Sequence, residues 1–184
     1  LGVQWIVVHP LTLLNTASAA VSRRENLEYF KPLLELATEH GLSIAIENMF
    51  DPRPDGPVRL RRRFGSALDE LVDLVDALRP THPNVGVCWD TGHANEMNIP
   101  QAQALEQIGD RLKALHINDN YAALDDHNIP FHGTIDCWTD IMAALKRIGY
   151  TGCLTLETGR FGKHVPTPLL PAVLRYSAEV GRYL

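Results

Sequence analysis

Short apolar runs alternate with amphipathic stretches along the whole chain. Each run is rich in β-branched or other apolar residues and is too short for a helix, which predicts a strand. The predicted strands cover Val3–Val8, Leu42–Ile46, Val85–Trp89, Leu112–Leu115 and Cys153–Leu156. The first is apolar on both faces, which is typical of a strand covered on both sides. A further short strand is predicted near Ile135.

The stretches between these runs have apolar residues three and four positions apart and predict helices. They extend from Ser22 to Gly41, Ser66 to Pro80, Gln101 to Gly109, Trp138 to Ile148 and Leu169 to Tyr183. Ser22 and Glu25 have the spacing of a capping box, so we expect the first helix to begin at Ser22. Strands that alternate with helices in this way indicate parallel βα units.

Parallel βα units build either an open sheet or a closed barrel. The sequence contains no glycine-rich nucleotide-binding turn, which favours the barrel. A complete (β/α)8 TIM barrel has about 250 residues, whereas this chain has 184. We therefore expect one α/β domain over residues 1–184, of (β/α)8 TIM-barrel type, without the first one or two βα units. Either the chain is truncated at its N terminus or a second copy closes the barrel, and in the latter case exposed strand edges predict a homodimer.

Composition narrows the class of partner. With 45% apolar and 21% charged residues, the chain resembles ordinary globular proteins, and no apolar run has the length of a membrane span. The net charge of −5 argues against a nucleic acid as the main partner and favours a small-molecule substrate. The three cysteines do not pair in the sequence and lie in or beside apolar segments, which predicts a reducing, cytoplasmic setting.

Each predicted strand ends at a residue that can bind a metal. These residues are His9, Glu47, Asp90, His116 and Glu157. A single acidic residue at a strand end commonly caps a helix or faces solvent, but recurrence at every strand end favours a shared site. In a barrel, the carboxyl ends of all strands converge on one mouth. Carboxylates with imidazole form a donor set suited to Mn²⁺, Mg²⁺, Co²⁺ or Zn²⁺.

A run of arginines follows the second strand, in a loop on the predicted active-site face. Arg59, Arg61, Arg62 and Arg63 form it. Such a run is commonly a solvated cluster. It could also bind a substrate phosphate through the guanidinium groups, or the DNA backbone if the substrate is a nucleic acid.

Four segments together resemble the successive motifs of the xylose isomerase-like barrel superfamily. They are Ile46-Glu47-Asn48, Trp89-Asp90-Thr91-Gly92-His93-Ala94, Leu115-His116-Ile117-Asn118-Asp119-Asn120 and Pro130 through Ile135-Asp136. That superfamily contains sugar and sugar-phosphate isomerases and epimerases as well as apurinic endonucleases. The chain departs from its usual loop pattern at Phe131, where the family has glycine, and at Trp138, which stands one position late.

The resemblance implies a divalent metal held by Glu47, Asp90, His116 and Glu157, in a sugar or sugar-phosphate isomerase or epimerase. Glu47 and Glu157 would transfer the proton through a metal-stabilised enediolate, and His93 would contact the substrate. Hydride transfer is a second chemistry among the relatives.

In the endonuclease branch, His9, His93, Asp125 and His127 would add further ligands. The rival hypothesis is therefore a zinc-dependent apurinic endonuclease-like phosphodiesterase. A third is a barrel that binds a ligand without catalysis, which the short chain favours and the intact ligand set opposes.

Overall fold

The computed structural model describes residues 2–13, 19–51 and 62–184. Its strands are β1 (Trp5–Val8), β2 (Ser43–Glu47), β3 (Val85–Asp90), β4 (Leu112–Ile117) and β5 (Thr155–Leu156). Its α-helices are α1 (Ala19–Glu39), α2 (Leu68–Leu78), α3 (Thr91–Glu96), α4 (Gln101–Ile108), α5 (Trp138–Arg147) and α6 (Leu170–Tyr183). Short 3₁₀ turns at Gly109–Arg111 and Thr167–Leu169 lead into β4 and α6.

The strands form one parallel sheet in the order β1-β2-β3-β4-β5. The sheet is curled, with helices on its convex side, and forms part of a TIM barrel, so the predicted fold class is confirmed. Buried side chains that alternate along β2 and β3, among them Ile46, Val87 and Trp89, form the core together with the helices. This packing holds the carboxyl ends of the strands at one edge.

A β-bulge in β4 brings the site residues into line. Val87 pairs with Leu112, but Cys88 pairs with Ala114, so Lys113 is an extra residue on β4. The bulge sets Asp90 opposite His116.

Strand β1 departs from its prediction. It hydrogen-bonds only to β2 among the described strands, and Ile6 is 40% exposed. The prediction that β1 is covered on both faces is therefore wrong at Ile6, whose side chain the described residues leave exposed.

Helix α1 begins earlier than predicted. It starts at Ala19 rather than Ser22, so the predicted capping box is not an N-terminus, and Glu25 pairs with Arg24 instead. The buried Asn26 side chain accepts a hydrogen bond from the Leu11 backbone N–H at 2.7 Å and donates to the Leu11 carbonyl at 3.0 Å. This contact fixes the segment that follows β1 and carries His9.

Two further elements differ from the prediction. Helix α3 was not predicted, because its six residues have no apolar periodicity. Near Ile135 no strand is present in the described chain, since the Ile135 N–H donates to the Asp119 carboxylate at 3.2 Å instead of joining the sheet.

Among the described residues, an open cavity lies on each side of the strand ends. One of about 900 Å³ is lined by the amino-terminal parts of β1 and β4 and by the segment that precedes β5. The other, about 780 Å³, opens at the carboxyl ends of the strands. Within the described ranges, no helix has both the length and the apolar character that a bilayer crossing requires.

Candidate metal centre and active site

Four side chains from neighbouring strands meet at the carboxyl edge of the sheet. We call Glu47, Asp90, His116 and Glu157 the strand-end cluster. Each offers a ligand atom, and these atoms all lie within 4.8 Å of one another. Glu157 follows β5 directly, and its backbone N–H donates to the Ile117 carbonyl at 3.0 Å, which continues the ladder to the site. Cys88 forms a second compact group with Glu47 and His116.

His116 lies between two glutamates. Its Nδ1 is 3.0 Å from Glu47 Oε1 and 3.2 Å from Glu157 Oε2. Burial by itself lowers the pKa of His116, but the hydrogen bonds to Glu157 and Glu47 raise that pKa to about 10. Burial likewise opposes ionisation of Glu47, yet hydrogen bonds from His116 and His9 lower its pKa to about 2. Two ionised carboxylates thus share one cationic ring.

Asp90 is the most deeply buried acid of the cluster. Its Oδ1 accepts the His93 backbone N–H at 2.7 Å, and its Oδ2 accepts from the Asn118 amide at 2.8 Å. Burial, followed by the charge of Glu47, raises the pKa of Asp90, whereas the hydrogen bond with His116 lowers the pKa of Glu157. Three carboxylates in so small a volume are an electrostatic environment that favours a bound cation.

Two asparagines hold the acids in place. The Asn48 amide donates to the Asp90 carbonyl at 3.0 Å, and its Oδ1 accepts the Asp90 N–H at 2.6 Å. Asn118 orients the Asp90 carboxylate, as described above. Asn48 and Asn118 stand within the sequence motifs but are not among the predicted site residues; their positions one and two residues after Glu47 and His116 are the signal in the sequence.

His9 and His93 lie on two sides of Glu47. His9 Nε2 is 3.1 Å from Glu47 Oε2, and this hydrogen bond raises the pKa of His9 although its side chain is 60% exposed. His93 is buried, its Nδ1 is 2.8 Å from the Asn48 carbonyl, and burial lowers its pKa. Nδ1–H therefore donates to that carbonyl, which leaves Nε2 as an acceptor.

Asp125 and His127 form a pair beside the strand-end cluster. His127 Nε2 is 2.9 Å from Asp125 Oδ2, and His127 Nδ1 donates to the Glu157 carbonyl at 2.9 Å. The hydrogen bond to Asp125 raises the pKa of His127 to about 9. Asp125 Oδ1 lies 4.0 Å from His93 Nε2. These three residues do not form a compact ligand group of their own among the described residues.

Asp125 and His127 belong to a loop that hydrogen bonds close at its base. Asp119 and Asn128 form an antiparallel bridge, and the Asp119 carboxylate accepts the Asn120 and Ile135 N–H groups. Within this loop, Phe131 has a φ of 73°, the left-handed conformation that a glycine adopts readily. Its ring lies 5.9 Å from Trp138 and 5.8 Å from Tyr183, centroid to centroid.

The 780 Å³ cleft gathers these groups on one surface. Its lining includes His9, Glu47, His93, Asp125, His127, Glu157, Met49, Phe50, Arg63, Glu96 and Arg160. Six of the predicted site residues line this cleft, namely His9, Glu47, His93, Asp125, His127 and Glu157. Asp90 and His116 are not among the lining residues, but their ligand atoms lie within 4.8 Å of those of Glu47 and Glu157.

The two described arginines of the arginine run have different surroundings. Arg62 forms an ion pair with Glu70 at 2.7 Å and is not among the cleft residues, whereas Arg63 lines the cleft. Arg59 and Arg61 lie outside the described residues.

Comparison with known proteins identifies the family. The family described as xylose isomerase-like TIM barrel matches residues 1–179. An uncharacterized protein, y4fM, of Sinorhizobium fredii is 34% identical over 120 residues, which cover 65% of this chain and 34% of that protein. A D-psicose 3-epimerase of Enterocloster bolteae is 32% identical over 89 residues, which cover 48% of this chain and 27% of the epimerase.

Among solved structures, IolI protein with a bound zinc atom has a TM-score of 0.75 at 21% identity, and the match covers 98% of this chain and 63% of IolI. The similarity to IolI establishes the fold. The chain spans about a third or less of the two curated relatives named above.

Proposed function

We propose, on the premise that the chain belongs to the xylose isomerase-like TIM barrel family, that it carries the active site of a metal-dependent carbohydrate isomerase or epimerase. The observation that carries this proposal is the strand-end cluster, whose ligand atoms lie within 4.8 Å of one another beside an open cleft. The similarity to a D-psicose 3-epimerase supports the same reaction class. The substrate class is an open-chain sugar or sugar phosphate.

The strand-end cluster fits a divalent cation. Three carboxylates and one imidazole form a hard oxygen and nitrogen donor set, which suits Mn²⁺, Mg²⁺, Co²⁺ or Zn²⁺. The raised pKa of Asp90, caused by burial and by the charge of Glu47, reflects the repulsion that a cation would relieve. When bound, such an ion would polarise the carbonyl oxygen and a neighbouring hydroxyl oxygen of the sugar.

Glu47 and Glu157 are the proposed proton-transfer residues. They approach His116 from different strands, and the low pKa of each keeps it ionised and able to accept a proton. One carboxylate removes the proton from the carbon next to the carbonyl, and the electron pair of that C–H bond forms the enediolate. The other glutamate takes a proton from solvent water and donates it to the opposite face of the enediolate, which inverts the carbon, and the first glutamate then releases its proton to solvent.

His93 is the proposed substrate contact. Because its Nδ1–H donates to the Asn48 carbonyl, Nε2 can accept a hydrogen bond from a sugar hydroxyl. The lowered pKa, a result of burial, keeps the ring neutral for that purpose.

The test is incorporation of solvent deuterium into a panel of ketoses and ketose phosphates by the metal-loaded protein, followed by mass spectrometry. We expect incorporation next to the carbonyl, and a loss of about 100-fold or more in Glu47→Gln and in Glu157→Gln. The matched control is Glu39→Gln, an exposed glutamate at the end of α1. Product without deuterium would indicate hydride transfer, and a metal-loaded protein that converts no sugar would contradict the proposal.

The phosphodiesterase is kept as a second candidate because of additional histidines in the same cleft. His9, His93 and His127, with Asp125, line the cleft next to the strand-end cluster and are of the residue types that bind zinc. Further zinc ions would have to draw them closer together, because among the described residues they form no compact ligand group by themselves. Elemental analysis and an abasic-site oligonucleotide separate the two candidates. More than one zinc ion per chain together with strand cleavage would favour the phosphodiesterase, and about one metal per chain without cleavage would favour the isomerase.

A further inference from the structure

One side of the cleft is lined by Phe50 and Arg63, which have no role in the proposed proton transfer. Resting on the proposed function, we infer that Arg63 binds an anionic group at the far end of the sugar, and that the preferred substrate is therefore a phosphate ester. Arg63 is a specificity-determining residue in this proposal and takes no part in proton transfer.

Stacked side chains hold Arg63 on the cleft wall. Its Cζ lies 4.3 Å from the centroid of the Phe50 ring, and the Phe50 ring lies 4.7 Å from that of His93. The Arg63 backbone N–H donates to the Asp51 carboxylate at 2.7 Å, which fixes the main chain at that point. A guanidinium stacked on a ring keeps its N–H edge available for a ligand. Arg63 therefore stands one aromatic ring away from the proposed substrate contact.

The charge of Arg63 is not neutralised by the residues that the structure describes. None of their carboxylates forms an ion pair with it, whereas the neighbouring Arg62 is paired with Glu70. Other described arginines that are engaged by carboxylates are Arg23, Arg24, Arg79, Arg111 and Arg147.

The acidic residues in and next to the strand-end cluster already form ion pairs with histidines. Glu47 contacts His9 and His116, and Asp125 contacts His127. Arg160 adds a second guanidinium to the cleft and donates to the Asp125 carbonyl. The cleft thus contains two guanidinium groups, those of Arg63 and Arg160, that form no ion pair with a carboxylate of the described residues.

The cleft lining suits a substrate with two ends of different chemistry. The carbonyl end would lie at the strand-end cluster, and the carbon chain would pass Met49 and Phe50, which line the cleft between polar groups. A phosphate at the other end would accept two parallel, charge-assisted hydrogen bonds from a guanidinium, and the neutral hydroxyls of an unphosphorylated sugar lack that charge.

The experiment compares D-fructose, D-fructose 6-phosphate and the carboxylate D-fructuronate as ligands of the metal-loaded protein by calorimetry. We expect the phosphate ester to bind about 10- to 100-fold more tightly than D-fructose, as charge-assisted hydrogen bonds do. This preference is lost in Arg63→Gln, is partly kept in Arg63→Lys, and is unchanged in Arg62→Gln, which removes the same charge from the adjacent position.

Three outcomes overturn the inference: no preference for the phosphate ester in the wild type, a preference that survives in Arg63→Gln, or tighter binding of D-fructuronate than of the phosphate. The deuterium assay separates this failure from that of the proposed function. Proton exchange without a phosphate preference contradicts the role of Arg63 alone, whereas absence of exchange with every sugar contradicts the isomerase.

Discussion

Gly92 lies against Asn118 so closely that a Cβ atom at position 92 would stand 1.9 Å from the Asn118 amide oxygen. The same Asn118 donates to the Asp90 carboxylate from its amide nitrogen. Gly92 is thus the residue that allows α3 and β4 to approach each other behind the strand-end cluster.

Gly92→Ala is expected to displace Asn118 and with it the Asp90 carboxylate. We expect the free energy of unfolding to fall by about 1 to 3 kcal/mol, the usual cost of overpacking, and metal affinity to fall as well. Urea unfolding and metal titration measure the two effects. Gly159→Ala is the control, because nothing lies within 4 Å of a Cβ there. If the two variants have equal stability and equal metal affinity, the close contact between Gly92 and Asn118 is not important for either property, and the prediction is wrong.

Metal binding is expected to release protons. The pKa of His116 is about 10, through its hydrogen bonds to Glu157 and Glu47, and the pKa of Asp90 is raised by burial. At neutral pH a cation must displace the proton of His116, and the raised pKa of Asp90 acts in the same direction, so apparent affinity rises as pH increases towards 10.

Calorimetry in buffers of different ionisation enthalpy counts the released protons. The exposed His164 gives the control His164→Asn, which should release the same number as the wild type. If the heat of metal binding is the same in every buffer, no protons are released and the prediction is wrong.

The Asp125 and His127 pair predicts a pH-dependent stability of the chelator-treated protein. The pKa of His127 is raised from 6.5 to about 9 by its hydrogen bond to Asp125. The stabilisation is therefore fully present below pH 6.5 and is lost as pH rises through about 9. Thermal unfolding from pH 6 to pH 10 should show a decline that is smaller in His127→Gln than in the wild type. If the stability of the wild type and of His127→Gln declines by the same amount, the decline arises from other groups such as His116.

The 184-residue chain is expected to form dimers. Strands β1 and β5 each pair on one side only within the described sheet, and Ile6 on β1 is 40% exposed. Light scattering should give twice the 20.5 kDa mass of the chain. Ile6→Lys should weaken the dimer, whereas Leu36→Lys, an equally apolar exposed position on α1, should not. A monomer at micromolar concentration would contradict this prediction.

Strand positions and strand-end ligands could be predicted because both depend on local pattern. A strand buried by neighbouring helices is a short apolar run, and in parallel βα units every such run ends at the same edge. The sequence pattern therefore predicts that Glu47, Asp90, His116 and Glu157 stand at strand ends.

The features that the sequence pattern does not determine depend on tertiary contacts. Asn26 lies in the buried stripe of α1, and only its contact with the distant Leu11 explains a polar residue there. The positions of Asp125 and His127 depend on the bridge between Asp119 and Asn128, which no periodicity encodes. The division between Arg62 and Arg63 depends on Glu70, which approaches from α2.

Phe131 connects the loop that carries Asp125 and His127 to two helices. Where the family pattern has glycine, this chain keeps a left-handed backbone and adds a ring that contacts Trp138 on α5 and Tyr183 on α6. The loop that carries Asp125 and His127 is thereby tied to the last helix of the chain. Its amide protons and those of α6 are expected to exchange with solvent together, as one cooperative unit that opens and closes as a whole.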